Sequence, residues 1–167
     1  MYRVTQALSV GRFATPERAE ELLAAGVTHI LNVSDAPSRL ASSEDGFQEV
    51  VWVPLDDSSR FPTQLTCQAL DALHRMASKP GAHVYVHCIA GHLRSPTVLW
   101  LYLIACGIPM EDARAWIEER SPDAAPGTRR IVDAEHIALA QKHGRTNYLP
   151  LHRGEIITRV PLSDRRE

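Results

Sequence analysis

An α/β layer fold, with a central mostly parallel sheet of about four to five strands flanked by helices, is predicted by three observations. Short β-branched apolar runs alternate along the chain with longer stretches of helical spacing. Asp57 and Cys88 each fall just beyond the end of such a run, where ligands sit in sheets of this kind. The length, 167 residues, suits one domain with one sizeable core.

Each element follows from its own pattern. Ala7 to Val10 reads as a short edge strand closed by Gly11. Thr15-Pro16-Glu17 opens a helix, with Thr15 as N-cap, Pro16 at the first position and acids in the first turn. Leu22, Leu23 and Ala25 supply its buried side and Gly26 stops it. Thr28 to Ser34 is a buried strand, and the polar stretch Asp35 to Gln48 a loop. Glu49 to Val53 is the next strand, stopped by Pro54 and followed by the charged loop Asp56 to Arg60. Helical spacing runs from Thr63 to Ser78 and ends at Pro80-Gly81.

Val84 to His87 forms a further buried strand that stops at Cys88. Ser95-Pro96 starts the next helix, which ends at Cys106-Gly107, with Ser95 able to cap it. Two more helices are expected, from about Met110 to Arg120 and from about Thr128 to Lys142. Ile156 to Leu162 is a candidate edge strand. Residues 1–144 are expected to make one catalytic domain and 145–167 a C-terminal extension.

Composition narrows the class. Apolar residues at 44 % and charged residues at 23 % suit a soluble globular protein. A net charge of −2 argues against a surface that coats nucleic acid. Three cysteines, Cys67, Cys88 and Cys106, without paired spacing make neither a disulfide framework nor a zinc site. The eight histidines have no ligand spacing, so no metal is expected. No apolar run reaches the length of a membrane span, and the start of the chain has no apolar signal core. A cytoplasmic protein is the expectation; the sequence leaves its oligomeric state open.

The chemistry concentrates in His83 to Thr97. Arg94 lies six positions after Cys88, with Gly91 between them and Ser95 directly after. A thiol's pKa, about 8.5 when free, falls to roughly 3.5–7.5 at a helix N-terminus or beside cations, and Cys88 stands in that setting. The backbone N–H groups of Ile89, Ala90, Gly91, His92, Leu93 and Arg94 can turn inward as a nest for an anion. Arg94 offers a planar fork for two phosphoryl oxygens. Gly91 allows a backbone angle that a side chain resists. Ser95 can donate to the Cys88 sulfur.

His87-Cys88-Ile89-Ala90-Gly91-His92-Leu93-Arg94-Ser95 resembles the His-Cys-x5-Arg-Ser/Thr signature of the cysteine-dependent protein tyrosine phosphatase superfamily. The flanks Leu8-Ser-Val-Gly-Arg-Phe13 and Gly26-Val-Thr-His-Ile-Leu-Asn-Val33 are similar to its dual-specificity branch. The likeness covers roughly Ala7 to Lys142. It implies a dual-specificity-phosphatase-like fold and hydrolysis of phosphomonoesters through a cysteinyl-phosphate, without metal or organic cofactor. It implies phosphorylated protein as substrate, phosphotyrosine first, then phosphoserine or phosphothreonine. The alternatives with the same chemistry are a phosphoinositide, a phosphosugar or an RNA 5′-phosphate, the last being the only nucleic acid expected as a partner.

The resemblance also implies an acid about thirty residues before the nucleophile. Val53-Pro-Leu-Asp56-Asp57 occupies that place, which puts the role on Asp57, with Asp56 as the alternative. Two positions depart from the family pattern. Leu93 stands where Gly, Ser or Asn is common, to narrow the rim or pack beneath it. Pro126-Gly127 stands where Pro-Asn is frequent, so that loop's support must come from elsewhere.

Blander readings apply to the remaining candidates. Cys67 and Cys106 read as core thiols, and a redox partnership with Cys88 as the lesser reading. His87 reads as an internal histidine that supports the loop rather than a base, with a secondary part in lowering the thiol pKa. His92 points outward, within reach of substrate. Asp56 reads as a solvated loop residue. Arg129-Arg130 are solvated helix-start residues or cations that favour a polyanionic substrate. A sulfurtransferase or arsenate reductase also carries a cysteine on an anion loop, but Asp57 and Ser95 weigh against both. A non-catalytic phosphate-binding module would lack the Cys, the Arg or the Asp, and all three are present.

Overall fold

The computed structural model describes residues 1–148 and 154–161. Its five strands are β1 (Tyr2–Arg3), β2 (Leu8–Gly11), β3 (His29–Asn32), β4 (Glu49–Trp52) and β5 (Val84–His87). They form one sheet in the order β1-β2-β5-β3-β4. β2, β5, β3 and β4 run parallel, and β1 is antiparallel to β2. The expected α/β class and mostly parallel sheet are therefore what the chain forms.

Strand alternation divides the interior. In β5, Val84 and Val86 face a large core and Tyr85 faces a smaller one; in β3, Leu31 and Ile30 divide in the same way. The larger core lies under α3 (Thr63–Ala77), α4 (Arg94–Ala105), α5 (Met110–Glu118) and α6 (Ala134–Asn147). The smaller one lies under α1 (Ala19–Ala24) and the loop with α2 (Ser42–Asp45). Every residue of α4 is buried, which makes it the central helix. Truncating a fully buried side chain such as Leu101 to alanine costs about 2–5 kcal/mol.

Several expectations are corrected. β2 is an interior strand, because the two-residue β1, too short to show alternation, pairs outside it. Thr15 makes no side-chain cap: the first turn, Pro16–Arg18, is a 3-10 turn, and α1 starts after it. Leu22 alone is buried on that six-residue helix, leaving Leu23 38 % exposed. The loop 35–48 contains the single turn α2. Ser95 sits inside α4 rather than capping it. Residues 128–133 are turns, not helix, because Asp133 accepts from the N–H groups of Glu135 and His136 and so starts α6 there. Gly154–Ile157 is a short helix, α7, followed by a lone antiparallel bridge between Thr5 and Arg159, where a strand was expected. Leu162 lies outside the described residues.

Candidate active site

Four parallel strands end on one edge of the sheet, at Gly11, His87, Asn32 and Trp52. The loops that follow them therefore meet, although up to about eighty positions separate them in sequence. Cys88 leaves β5 buried, with its Sγ 3.2 Å from the hydroxyl of Ser95 on the first turn of α4. The Ser95 hydroxyl also lies 3.4 Å from the Gly11 carbonyl, a second acceptor for its single proton. None of the backbone N–H groups of Ile89 to Arg94 donates to a protein acceptor among the described residues. Six polar donors are thus gathered on one short loop around a thiol.

The loop keeps this shape through close packing. Gly91 has φ 81°, and a Cβ there would stand 2.7 Å from the Gly11 carbonyl carbon and 2.9 Å from Arg12 N. No other residue fits both the angle and the space. The Phe13 N–H donates to the Ile89 carbonyl at 2.9 Å, joining the β2 loop to the same segment. His87 Nδ1 donates to the Cys88 carbonyl at 3.0 Å. Burial lowers the His87 pKa to about 4, so the ring is neutral near pH 7. It supports the loop and brings no positive charge to the thiol.

The two departures from the family pattern are accommodated. Leu93 is half-buried and packs on the main core, so it lies beneath the loop rather than on its rim. The loop's support comes from the backbone: Ala125 N–H donates to the His92 carbonyl at 2.7 Å, and Gly127 N–H to Thr97 Oγ1 at 3.1 Å. Gly127 is required there, because a Cβ would meet the Trp100 ring and the Arg114 guanidinium at 2.9 Å. The side chains of Ile89, Ala90 and His92 are exposed around the rim.

Arg94 ties three loops together. Its Nη1 donates to Asp35 Oδ1 at 2.7 Å and to the Leu55 carbonyl at 2.9 Å. Its Nη2 stands 4.0 Å from Asp57 Oδ2. Nη1 is thus occupied, while Nε and Nη2, the two donors of the fork, have no hydrogen-bond partner among the described residues. The Arg94 hydrogen bond holds the Asp35 carboxyl below its ordinary range. Asp35 was not anticipated as part of the site, nor was Asn32. The Asn32 amide shapes the Asp35 loop, accepting from Ser34 and donating to the Ala36 carbonyl.

Asp57 and Asp56 differ in what they touch. Asp56 Oδ1 accepts from Ser58 N–H at 2.9 Å and Ser58 Oγ at 2.8 Å, bonds that lower its pKa and keep it ionised. Asp57 turns toward Arg94. Its carbonyl accepts from Arg130 Nε at 2.9 Å, a contact that neither residue's neighbours in sequence suggest. Arg60 on the same loop makes two bonds to the Asp133 carboxylate, at 2.7 and 3.0 Å, and a third to Glu135. Cys106 lies twelve residues along α4 from Arg94, about 18 Å away, and Cys67 sits on α3. Burial raises both of their thiol pKa values, that of Cys106 to about 12.

Comparison with known proteins gives the family and the fold. Residues 5–143 match the family model described as Swiss Army Knife protein, DSP-PTPase phosphatase domain. Protein tyrosine phosphatase type IVA 2 of Mus musculus is 38 % identical over 103 residues, 60 % of this chain and 61 % of that protein. The chain therefore spans about three-fifths of that relative's length. Dual specificity protein phosphatase 14 of Homo sapiens is 30 % identical over 138 residues, 80 % of this chain and 68 % of that protein. The crystal structure of DUSP15 shares the fold, with a TM-score of 0.72 at 22 % identity over 87 % of this chain and 93 % of that one. With a matched model across most of its length and a strand–loop–helix site of this form, the chain belongs to the DSP-PTPase phosphatase-domain family.

Proposed function

We propose that the chain hydrolyses phosphomonoesters through a cysteinyl-phosphate, with residues 1–144 as the catalytic domain. The observation that carries this reading is the Arg94 fork at the far end of the Cys88 loop: Nε and Nη2 make no hydrogen bond among the described residues, and Asp57 Oδ2 stands 4.0 Å from Nη2. Phosphoryl oxygens would take those two donors and the N–H groups of Ile89 to Arg94. Cys88 Sγ attacks phosphorus while Asp57, protonated, gives its proton to the leaving oxygen as the P–O bond breaks. The Asp57 carboxylate then takes a proton from water as that water attacks phosphorus. The S–P bond breaks, and Ser95 donates to the departing thiolate. Asp57 is favoured over Asp56 because Asp56 is committed to its own turn.

Phosphotyrosyl protein is the proposed principal substrate, with phosphoserine and phosphothreonine second. Relatives at 38 % and 30 % identity named as protein tyrosine and dual specificity phosphatases support that choice. The three free cysteines support a reducing cytoplasmic setting. No helix among the described residues is long and apolar enough to cross a membrane.

The test is phosphate release by the purified chain across phosphopeptides, phosphoinositides, nucleotides and sugar phosphates. Phosphotyrosyl peptides should turn over fastest, vanadate should inhibit and EDTA should not. Cys88→Ser should abolish turnover and keep oxyanion binding; unchanged turnover would sink the mechanism.

A further inference from the structure

The outer half of the loop that carries Asp57 is moulded on one stretch of chain, residues 130–136. Arg130 Nε donates to the Asp57 carbonyl at 2.9 Å, and Arg60 bonds the Asp133 carboxylate at 2.7 and 3.0 Å. The Phe61 N–H donates to the Ile131 carbonyl at 2.8 Å, and the Phe61 carbonyl accepts from His136 Nε2 at 2.9 Å. Both backbone groups of Phe61 are thus engaged, and its ring is buried in the main core. Phe61 is the fixed end of the loop, as Leu55, whose carbonyl holds Arg94 Nη1, is its fixed start. Residues 56–60 span the gap between these two points.

His136 differs from the other side chains in this seam. Arg130 and Arg60 are exposed, and exposed contacts weaken with salt. His136 is 1 % exposed. A carbonyl oxygen can only accept, so Nε2 carries the proton on the Phe61 side. Nδ1 accepts from the Asp133 N–H at 3.2 Å, closing the cap of α6. A second proton on the ring would turn Nδ1 to Asp133 Oδ1, 3.1 Å away, and leave the Phe61 bond as it is. One buried ring therefore joins the start of α6 to the end of the Asp57 loop. A leucine there would fill much of the same space but leave the buried Phe61 carbonyl without that donor.

We propose that His136 is a positioning residue for the acid step: by holding Phe61 it sets how far the Asp57 carboxyl reaches toward the leaving oxygen. The inference rests on the phosphatase reading with Asp57 as its acid. The effect of His136 passes through residues 58–61 and is confined to proton delivery. The Cys88 loop is held by other contacts, from Gly11, Phe13 and Ala125.

The experiment measures kcat and KM of the full chain on a phosphotyrosyl peptide, whose leaving oxygen needs a proton, and on an aryl phosphate of a strongly acidic phenol, which does not. His136→Leu should lower kcat on the peptide about tenfold and on the aryl phosphate less than about twofold, with KM and vanadate inhibition unchanged. His136→Gln keeps a donor for Phe61 and an acceptor for the Asp133 N–H, and should stay within about threefold of the unsubstituted chain on both substrates. Combined with Asp57→Asn, His136→Leu should bring no further loss, because the proton it positions is already gone. If His136→Leu does not fold, His136→Asn, polar but too short to reach Phe61, takes its place with the same expectation. Equal losses on the two substrates, a loss that persists beside Asp57→Asn, or full peptide turnover in both His136→Leu and His136→Asn overturns the positioning role and leaves the phosphatase reading standing. No phosphate released from either substrate by the unsubstituted chain overturns the phosphatase reading, and the positioning role with it.

Discussion

The proposed phosphate loop, 88–94, and the proposed acid loop, 53–60, meet at Arg94 but are held by different physics. The phosphate loop is fixed by backbone contact and burial, with Gly91 against Gly11, His87 beneath Cys88 and Ala125 N–H on the His92 carbonyl. The loop 53–60 is anchored at Val53 and Leu55 in the core and by the Leu55 carbonyl on Arg94, and its outer part, 56–60, by exposed charge: Arg60 on Asp133 and Glu135, and Arg130 on the Asp57 carbonyl. Contacts of the first kind barely respond to ionic strength, whereas those of the second are screened by it. Salt should therefore disturb the surroundings of Cys88 less than those of Asp57, the proposed acid.

That contrast can be sharpened or broken, starting with the largest effect. Asp57→Asn should lower turnover of an alkyl or peptide phosphate by about 10²–10⁴, and far less for an aryl phosphate with an acidic leaving group. Equal losses on both substrates, or a larger loss in Asp56→Asn, would move the acid elsewhere. Acid pH should strike the phosphate-loop side. The His87 pKa is about 4 when folded, below the ordinary value of 6.5, so the unfolded chain takes up the proton first. Stability is then lost as pH falls from about 6.5 to about 4, on the order of 3 kcal/mol from this one group. Urea unfolding at several pH values should show a flatter acid limb for His87→Asn, which keeps an N–H donor but does not titrate. Identical limbs would remove His87 as the cause.

Gly91→Ala comes next. A Cβ cannot fit against Gly11, so the loop must shift, and turnover should fall about 10²-fold with a smaller loss of melting temperature. Wild-type turnover in this variant would show that the loop is not rigid. The smallest effect belongs to the acid loop's restraints. Arg130→Ala should cost only a few-fold in kcat, in step with what rising salt does to the unsubstituted chain. If Arg130→Ala matched Gly91→Ala, the distinction between the loops would collapse.

The two loops also differ in how far they could be read from the chain. The phosphate loop is contiguous, and a thiol, a glycine, a guanidinium and a hydroxyl within eight positions have few alternative explanations. Asp57, the proposed acid, was singled out by the resemblance together with its position after a strand. What holds these residues was not. Asp35, the Leu55 carbonyl and Arg130 reach the site only because parallel strands end on one edge. No local spacing encodes that convergence. The stretch 128–133 misled because Ile131 is buried at a helical interval, yet Asp133 caps α6 and the Ile131 carbonyl bonds Phe61 N–H instead. The segment Asp133-Ala-Glu-His136 carried a cap signal that periodicity outweighed.

The contact between Gly11 and Gly91 has a consequence for how such chains can vary. A Cβ at Gly11 would come within 2.6 Å of the Tyr85 hydroxyl, and one at Gly91 would strike Gly11 itself. The three positions therefore form one mutational unit spread over eighty residues of sequence. A lineage or a designer that enlarges position 11 must first shorten Tyr85, for example to Phe, and must still leave position 91 bare. Substitutions at the first strand are in this sense edits to the phosphate loop.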